Sequence, residues 1–336
     1  METDLSAWWL PGGHLQSIYG AKLARRHLGP PLPWRRERWT APDHDFIDVD
    51  WLESEHHEKD APLLVLFHGL EGSSRSHYSQ SFAAEARRLG WRFVLPHFRG
   101  CSGELNLAPR AYHSGDHAEI QWVLSRLRAQ HSGVMAAVGV SLGGNALMHW
   151  AGKHAQRAHD VVDAVVAVCS PLDLMSSGHA LGRGFNRWVY SPMFLRTMKA
   201  KAHRKAQQHP GLFDLDAAMA ARTLYDFDDA FTAPVHGFTG VNDYWQRASA
   251  KPWLKSIALP ALLLNPQDDP FVPVAGLPNA QEVSAQVTLW QPRRGGHVGF
   301  VGGRWPGHVL NMPRAVTDWL VQQLADAKVA KACCHG

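Results

Sequence analysis

The run Ala137–Asn145 (AVGVSLGGN) carries a short apolar strand straight into Ser141, with Gly139 and Gly143 two residues away on either side. A serine that attacks a carbonyl must stand clear of its own backbone on a sharp strand-to-helix turn, where neighbouring side chains would collide. Glycine at both flanking positions removes those collisions. Asn145–Ala151 suits the first turns of a helix, so Ser141 is expected at a helix N-terminus, where unpaired N–H groups favour developing negative charge. The Leu142 N–H is then a natural oxyanion donor. Gly-x-Ser-x-Gly also arises by chance and in ordinary turns, so the reading depends on partners elsewhere in the chain.

Those partners occur in a consistent order. His297 lies in the glycine-rich segment Arg293–Phe300, on a late loop after the alternating run Gln286–Trp290. Between serine and histidine, Pro260–Leu264 reads as a buried strand, followed by the turn Asn265–Pro270 with two adjacent carboxylates, Asp268 and Asp269. Comparison with hydrolase loops of this kind favours Asp269, the later of the two. The order Ser141, Asp269, His297 matches one of the three common arrangements of a serine triad and differs from the other two. In that arrangement His297 accepts the Ser141 proton and later returns one, while Asp269 fixes the imidazole tautomer.

A second oxyanion donor is expected after an early strand. Ala61–Phe67 followed by His68–Ser74 fits, with Leu70 offering its backbone N–H. Glu71 is an awkward neighbour for an oxyanion, and its carboxylate is expected to point away. His68 reads more simply as a packed histidine anchoring the loop than as a catalytic group.

Apolar strands at Leu63–Phe67, Trp91–Pro96, Ala136–Val140, Val161–Cys169, Ala261–Leu264 and Val287–Trp290 alternate with helical stretches at Tyr78–Leu89, Ala118–Leu127 and Pro313–Ala325. That alternation predicts an α/β fold with a mostly parallel sheet. The triad candidates come from both halves of the chain and must meet in one site, so a single α/β domain with an insertion is expected rather than two domains. Its parts would be an N-terminal arm (1–39), a first core segment (40–172), a cap or lid (173–255), a second core segment (256–325) and a C-terminal tail (326–336). The stretch from Ser170 to Pro260, roughly 90 residues, is too long for a simple crossover.

Beyond the triad, the residues carry a family resemblance. Trp8–Leu10 leading to His14–Ile18, then Asp45–Trp51, Phe98–Asn106, Tyr112–Gly115, His236–Phe238, Asp243–Trp245, Asn265–Pro270 and Gly295–Phe300 together resemble α/β-hydrolase family 4, the esterases of the bacterial YheT type and the eukaryotic ABHD1/2/3-type lipid hydrolases. The matching segments span nearly everything from Trp8 to Val321. Two positions depart from the pattern: His44 stands where glycine is usual, and Ser17 where threonine is usual. The resemblance implies an α/β-hydrolase fold, central parallel sheet and helical cap, and a serine hydrolase of carboxylic esters, either short- to medium-chain acyl esters or monoacylglycerol-like lipids, working without a cofactor. An acyltransferase or thioesterase would use the same three residues, and a protein that binds acyl ligands without turnover would not need them.

Composition excludes some classes. With 336 residues, 45% hydrophobic and 19% charged, the chain suits one large core. A formal charge of +4 and no concentrated basic stripe give no support for nucleic-acid binding. Twenty-one histidines invite a metal test, and His113 and His117 with Asp116 between them are the best local set. Ser114 and Asp116 read more simply as helix-capping groups, so no metal is expected. Cys101 has no adjacent base and reads as loop packing.

Membrane and compartment signals are weak. The apolar cluster Phe185, Trp188, Tyr190, Met193, Phe194, Leu195 and Met198 precedes the basic run Lys199, Lys201, Arg204 and Lys205; these suit an acyl-chain wall with a membrane-facing edge or, more simply, cap packing with a solvated helix face. The segment Gly29–Arg38 reads as an extended arm wrapping the core, its arginines available to anionic lipid. No apolar run approaches the roughly 18–20 residues needed to span a bilayer, so membrane contact would be peripheral at most. Four cysteines without framework spacing and an acidic start, Met1–Asp4, point to the cytoplasm.

Overall fold

Strands buried on both faces need helices on both sides, and that requirement organises the chain. The computed structural model describes residues 5–53 and 60–333, with side chains as far as residue 325. Met1–Asp4 and Cys334 lie outside the described residues. Eight strands form one sheet: β1 (Trp34–Thr40), β2 (Phe46–Leu52), β3 (Leu63–Phe67), β4 (Arg92–Pro96), β5 (Met135–Val140), β6 (Ala164–Val168), β7 (Ala261–Leu264) and β8 (Val287–Trp290). Their order is β1-β2-β4-β3-β5-β6-β7-β8, with the β1–β2 and β2–β4 pairs antiparallel and the remaining pairs, β4–β3 to β7–β8, parallel.

The period-2 alternation of a strand divides the core into two layers. Leu63, Val65 and Phe67 face the layer of helices α3 (His117–Gln130) and α4 (Leu142–His154), packing with Leu124, Leu127, Leu147 and Trp150. Leu64 and Leu66 face the opposite layer, with Phe82 of α2 (His77–Arg88) and Val316 and Leu320 of α11 (Asn311–Cys333). The chain leaves β3 toward β4 on one side and returns to β5 on the other. This reversal opens a crevice at the carboxyl ends of β3 and β5, the general position for a ligand site in an open α/β sheet.

Between β6 and β7 lies a wholly helical segment: α5 (Leu174–Leu181), α6 (Gly184–Gln208), α7 (Leu215–Ala220), α8 (Leu224–Phe227), α9 (Ala233–Val235) and α10 (Val241–Ala248). Leu195, Ala202, Phe227 and Phe231 form an apolar cluster of its own. Asn145 ties it to the core, its amide donating to Ser114 O and Ala248 O while its oxygen accepts from the Ala250 N–H.

Several expectations need correction. The expected arm Gly29–Arg38 ends in β1, an edge strand, and the chain before it forms a helix, α1 (Gly13–Lys22), that the sequence pattern did not suggest. Arg36 and Arg38 are not free for lipid. They stand directly opposite Asp50 and Asp48 on β2 and pair with them through bidentate contacts of 2.6–2.9 Å. The strand expected over Val161–Cys169 is only Ala164–Val168, because residues Ala155–Asp160 form a 3-10 turn that the chain must leave first. Helix α11 extends to Cys333, into the segment expected as a tail. His44, where glycine was expected, has φ +63°, a left-handed turn between β1 and β2 that explains the glycine preference.

A buried arginine joins the β1–β2 turn to the helical layer. Arg99 reaches Asp45 at 2.7 Å, Glu119 of α3 at 2.5 Å and Asp43 at 2.8 Å. Burial would raise the Asp45 pKa, but the Asn106 amide and the N–H groups of Leu107, Phe46 and Ala108 hold it down at about 2. Removing the arginine would leave buried carboxylates unpaired. Arg99→Met is therefore expected to lower stability by about 3–5 kcal/mol; denaturant unfolding measures it, and a loss near zero would show that the cluster does not need its cation.

Candidate active site

Ser141 closes β5 with φ +53° and ψ −120°, a conformation that L-residues rarely adopt. Its N–H donates to Val168 O at 2.8 Å, so the parallel neighbour β6 holds the turn from below. The glycine requirement is steric. A Cβ on Gly139 would lie 2.4 Å from Gly143 O, and one on Gly143 would lie 2.4 Å from Phe67 O. Only glycine lets α4 start this close to the end of β3.

The other two candidates arrive from the ends of β7 and β8. His297 Nε2 lies 3.0 Å from Ser141 Oγ, and His297 Nδ1 lies 2.9 Å from Asp269 Oδ2. With Nδ1–H donating to the carboxylate, Nε2 presents its lone pair to the serine hydroxyl. Asp269 is buried and also accepts the Phe271 N–H at 2.8 Å. Its neighbour Asp268 turns elsewhere and accepts the Gly296 N–H at 2.9 Å, anchoring the histidine loop; burial raises its pKa above the usual value.

Helix α1 supplies support that sequence reading missed. Ser17 Oγ accepts the His297 N–H at 2.7 Å and donates to Gly13 O at 2.6 Å. Gln16, fully buried, accepts the Val301 N–H at 2.8 Å and donates to Leu10 O at 2.9 Å. The linear signal for it is the resemblance segment His14–Ile18, which carries Gln16 and Ser17; a hydroxyl at position 17, serine or threonine, keeps the same acceptor for the histidine loop.

Leu70 and Leu142 line the same cavity as Ser141, and neither N–H is taken up by a backbone hydrogen bond among the described residues. Glu71 has φ +56°, and its carboxylate is held by the Tyr112 hydroxyl at 2.8 Å and by Lys201 of α6 at 2.7 Å. His68 is fully buried, with Nδ1 against Gly69 O at 2.8 Å and Nε2 accepting the Phe98 N–H at 3.0 Å. Burial, helped by the charge of His97, lowers its pKa to about 3, so it stays neutral and ties the loop to the end of β4.

The alternative chemical centres separate. The His113 ring lies 4.5 Å from that of His236, tilted by 54°, and the His117 ring meets that of His149 edge-on at 5.2 Å, so the two histidines have separate ring partners. Asp116 does cap α3, accepting the Glu119 N–H, whereas the Ser114 N–H donates to the Tyr244 hydroxyl and the Ser114 carbonyl accepts from the Asn145 amide. Burial pushes the Cys101 thiol up to about 12, which leaves it a poor nucleophile. Among the described residues, Cys169, Asp269 and His297 are the group close enough to share an ion. They do not suit one: burial, then the Asp269 charge, keeps the Cys169 thiol well above its ordinary pKa, and His297 Nδ1 is already bonded to Asp269.

Two cavities meet at Ser141. The inner one, about 130 Å³, runs under the helical segment between Leu174, Leu181, Phe227, Phe231 and Trp245. An outer one, about 290 Å³, runs past His297 between α1 and the start of α6. Leu70, Phe194 and Phe271 border both. The apolar cluster of α6 therefore divides: Phe194 and Met198 face the inner cavity, Tyr190 and Leu195 are buried, and Phe185, Trp188 and Met193 are exposed. The basic run is neither membrane-facing nor solvated at two of its positions. Lys205 is buried, donating to Asn106 O and Ala108 O at 2.7 and 2.9 Å, and burial lowers its pKa to about 8.

The chain is similar to known proteins over almost its whole length. The α/β-hydrolase fold family matches residues 62–303. Escherichia coli YheT is 38% identical over 95% of this chain and 92% of its own length. Human phospholipase ABHD3 is 29% identical over 95% of this chain and 78% of its own. Among solved structures, the Pyrococcus furiosus esterase Pf2001 superposes with a TM-score of 0.54 at 13% identity, covering 90% of this chain and 99% of that one, a likeness of fold. The chain belongs to the α/β-hydrolase fold family, in the branch that it shares with YheT.

Proposed function

We propose that this protein is a serine hydrolase of carboxylic esters. The contact line from Ser141 Oγ through His297 to the buried Asp269, with hydrogen-bond distances of 3.0 and 2.9 Å, carries the reading. His297 Nε2 takes the hydroxyl proton as Ser141 attacks the ester carbonyl, and Asp269 steadies the imidazolium that forms. The tetrahedral oxyanion is met by the N–H groups of Leu70 and Leu142, fixed dipoles at a helix start and a tight loop. Nε2–H then protonates the leaving alcohol. Water, activated by the same nitrogen, hydrolyses the acyl-enzyme and regenerates Ser141.

The two cavities suit the two halves of an ester, with the apolar inner one, under a cap formed by α5–α10, taking the acyl chain and the outer one the alcohol. Relatives named phospholipase and monoacylglycerol lipase support a lipid-like substrate, an acylglycerol or a short- to medium-chain acyl ester. Lys201 has a positioning role in this scheme. By holding the Glu71 carboxylate, it keeps a negative charge from the residue after the Leu70 donor out of the oxyanion site.

A fluorophosphonate probe is expected to label the wild type at Ser141; a folded protein that never reacts there would overturn the assignment. Ser141→Ala and His297→Ala should each lower kcat for a soluble p-nitrophenyl ester by at least about a thousandfold with the fold intact by circular dichroism. Asp269→Asn should cost on the order of a hundredfold or more, against a much smaller loss for Asp268→Asn. Equal losses would reverse the choice of acid. Lys201→Met should lower kcat about tenfold, and Glu71→Gln in that background should restore most of it, as expected if the harm comes from an unneutralised carboxylate.

A further inference from the structure

The outer cavity opens through a surface of unusual composition. On α1, Leu15, Ile18 and Lys22 recur at three- and four-residue spacing and share one exposed stripe. On α6, Phe185, Trp188, Val189 and Met193 do the same, followed on that stripe by Arg196. All of these apolar side chains are exposed, Trp188 at 78%. The two helices are adjacent: the His14 ring lies 4.5 Å from Phe185, and His14 Nδ1 lies 3.2 Å from the Tyr190 hydroxyl. Ile18, Val189 and Met193 also line the outer cavity, whose floor is Ser141 and His297. The apolar patch is therefore continuous with the way in to the nucleophile.

Charge on this face has one sign. No aspartate or glutamate occurs between Leu5 and Arg36 or between Leu174 and Phe213. The exposed arginines and lysine of the two helices are Lys22, Arg183 at the start of α6, Arg187, Arg196 and, further along α6, Arg204. The Arg187 guanidinium lies over the Trp188 ring, 5.9 Å from its centroid, so cation and apolar surface are interleaved. Among the described residues no helix is long and apolar enough to cross a membrane. Short amphipathic surfaces with aromatic and aliphatic side chains on top and cations around them lie in the headgroup region of a bilayer instead.

We propose that the α1–α6 face is a docking surface for an anionic phospholipid bilayer, which seats the mouth of the outer cavity on the membrane. Leu15, Phe185 and Trp188 enter the acyl boundary, and the arginines stay at the phosphate level, their stems covering apolar surface. A membrane fits better than a second copy of the chain, because two identical cationic faces would repel. The proposal rests on this surface alone and does not require the hydrolytic reading.

Co-sedimentation of the full chain with vesicles tests it without any turnover. The wild type should bind phosphatidylcholine vesicles containing phosphatidylglycerol, bind pure phosphatidylcholine much less, and release as salt rises. Leu15→Ser with Trp188→Ser should weaken binding at least about tenfold, and Arg183→Gln with Arg187→Gln about thirtyfold. None of these four residues lines the inner or the outer cavity, so hydrolysis of a soluble ester and the melting temperature should be unchanged in both variants. A wild type that stays in the supernatant with anionic vesicles at low salt, or variants that bind as well as it does, would overturn the proposal. So would a stable dimer that the Leu15→Ser, Trp188→Ser variant dissociates while vesicle binding is absent, since the face would then belong to a second copy.

Discussion

The close approach of α4 to the end of β3 is the constraint on which the rest of the site depends. Gly143 packs against the carbonyls of Phe67 and His68, and that contact forces Ser141 into a left-handed backbone with its side chain at the carboxyl ends of the strands. Strain of this kind costs about 1–3 kcal/mol and persists only where surroundings over-determine it. Here they do so through the Val168 carbonyl, the β3–β5 pairing and a fully buried α4 face. The same approach brings the loop after β3, with Leu70, beside the loop after β5.

Support for the histidine comes from a different direction. The loop that carries His297 is held by Asp268 from β7, by Cys169 from β6 and by Ser17 and Gln16 from α1, a helix about 280 positions away in sequence. Precision at a reacting nitrogen requires such bracing, since small displacements of a catalytic group weaken proton transfer strongly. The N-terminal segment, which reads as an arm along the core, thus both braces the loop of His297, the proposed base, and forms one wall of the outer cavity.

Buried ionic groups join the layers. Arg99 links the β1–β2 turn to α3, Lys205 links α6 to the Asn106–Ala108 loop, and Lys201 links α6 to Glu71 beside Leu70, a proposed oxyanion donor. Arg99 and Lys201 are paired with carboxylates and Lys205 donates to two carbonyls, as burial demands. Two of these lysines sit on the helix that covers the inner cavity, so the position of that helix and the electrostatics of the site are coupled.

Local chemistry determined much of this protein from the sequence alone. Glycine flanking Ser141 leaves one sharp turn, uninterrupted apolar runs require a two-sided sheet, and the adjacent Asp268 and Asp269 after a strand narrowed the acid to two atoms' reach. What the linear pattern could not carry was partnership across long separations. Arg36 and Arg38 read as free cations until register set them opposite Asp50 and Asp48; Lys201 and Lys205 read as solvated until α6 folded over Glu71 and Asn106; Ser17 read as a neutral departure until α1 met the histidine loop. A side chain's type and spacing are local properties, whereas its burial, its partner and therefore its charge state depend on which distant segment packs against it, and only the tertiary structure decides that.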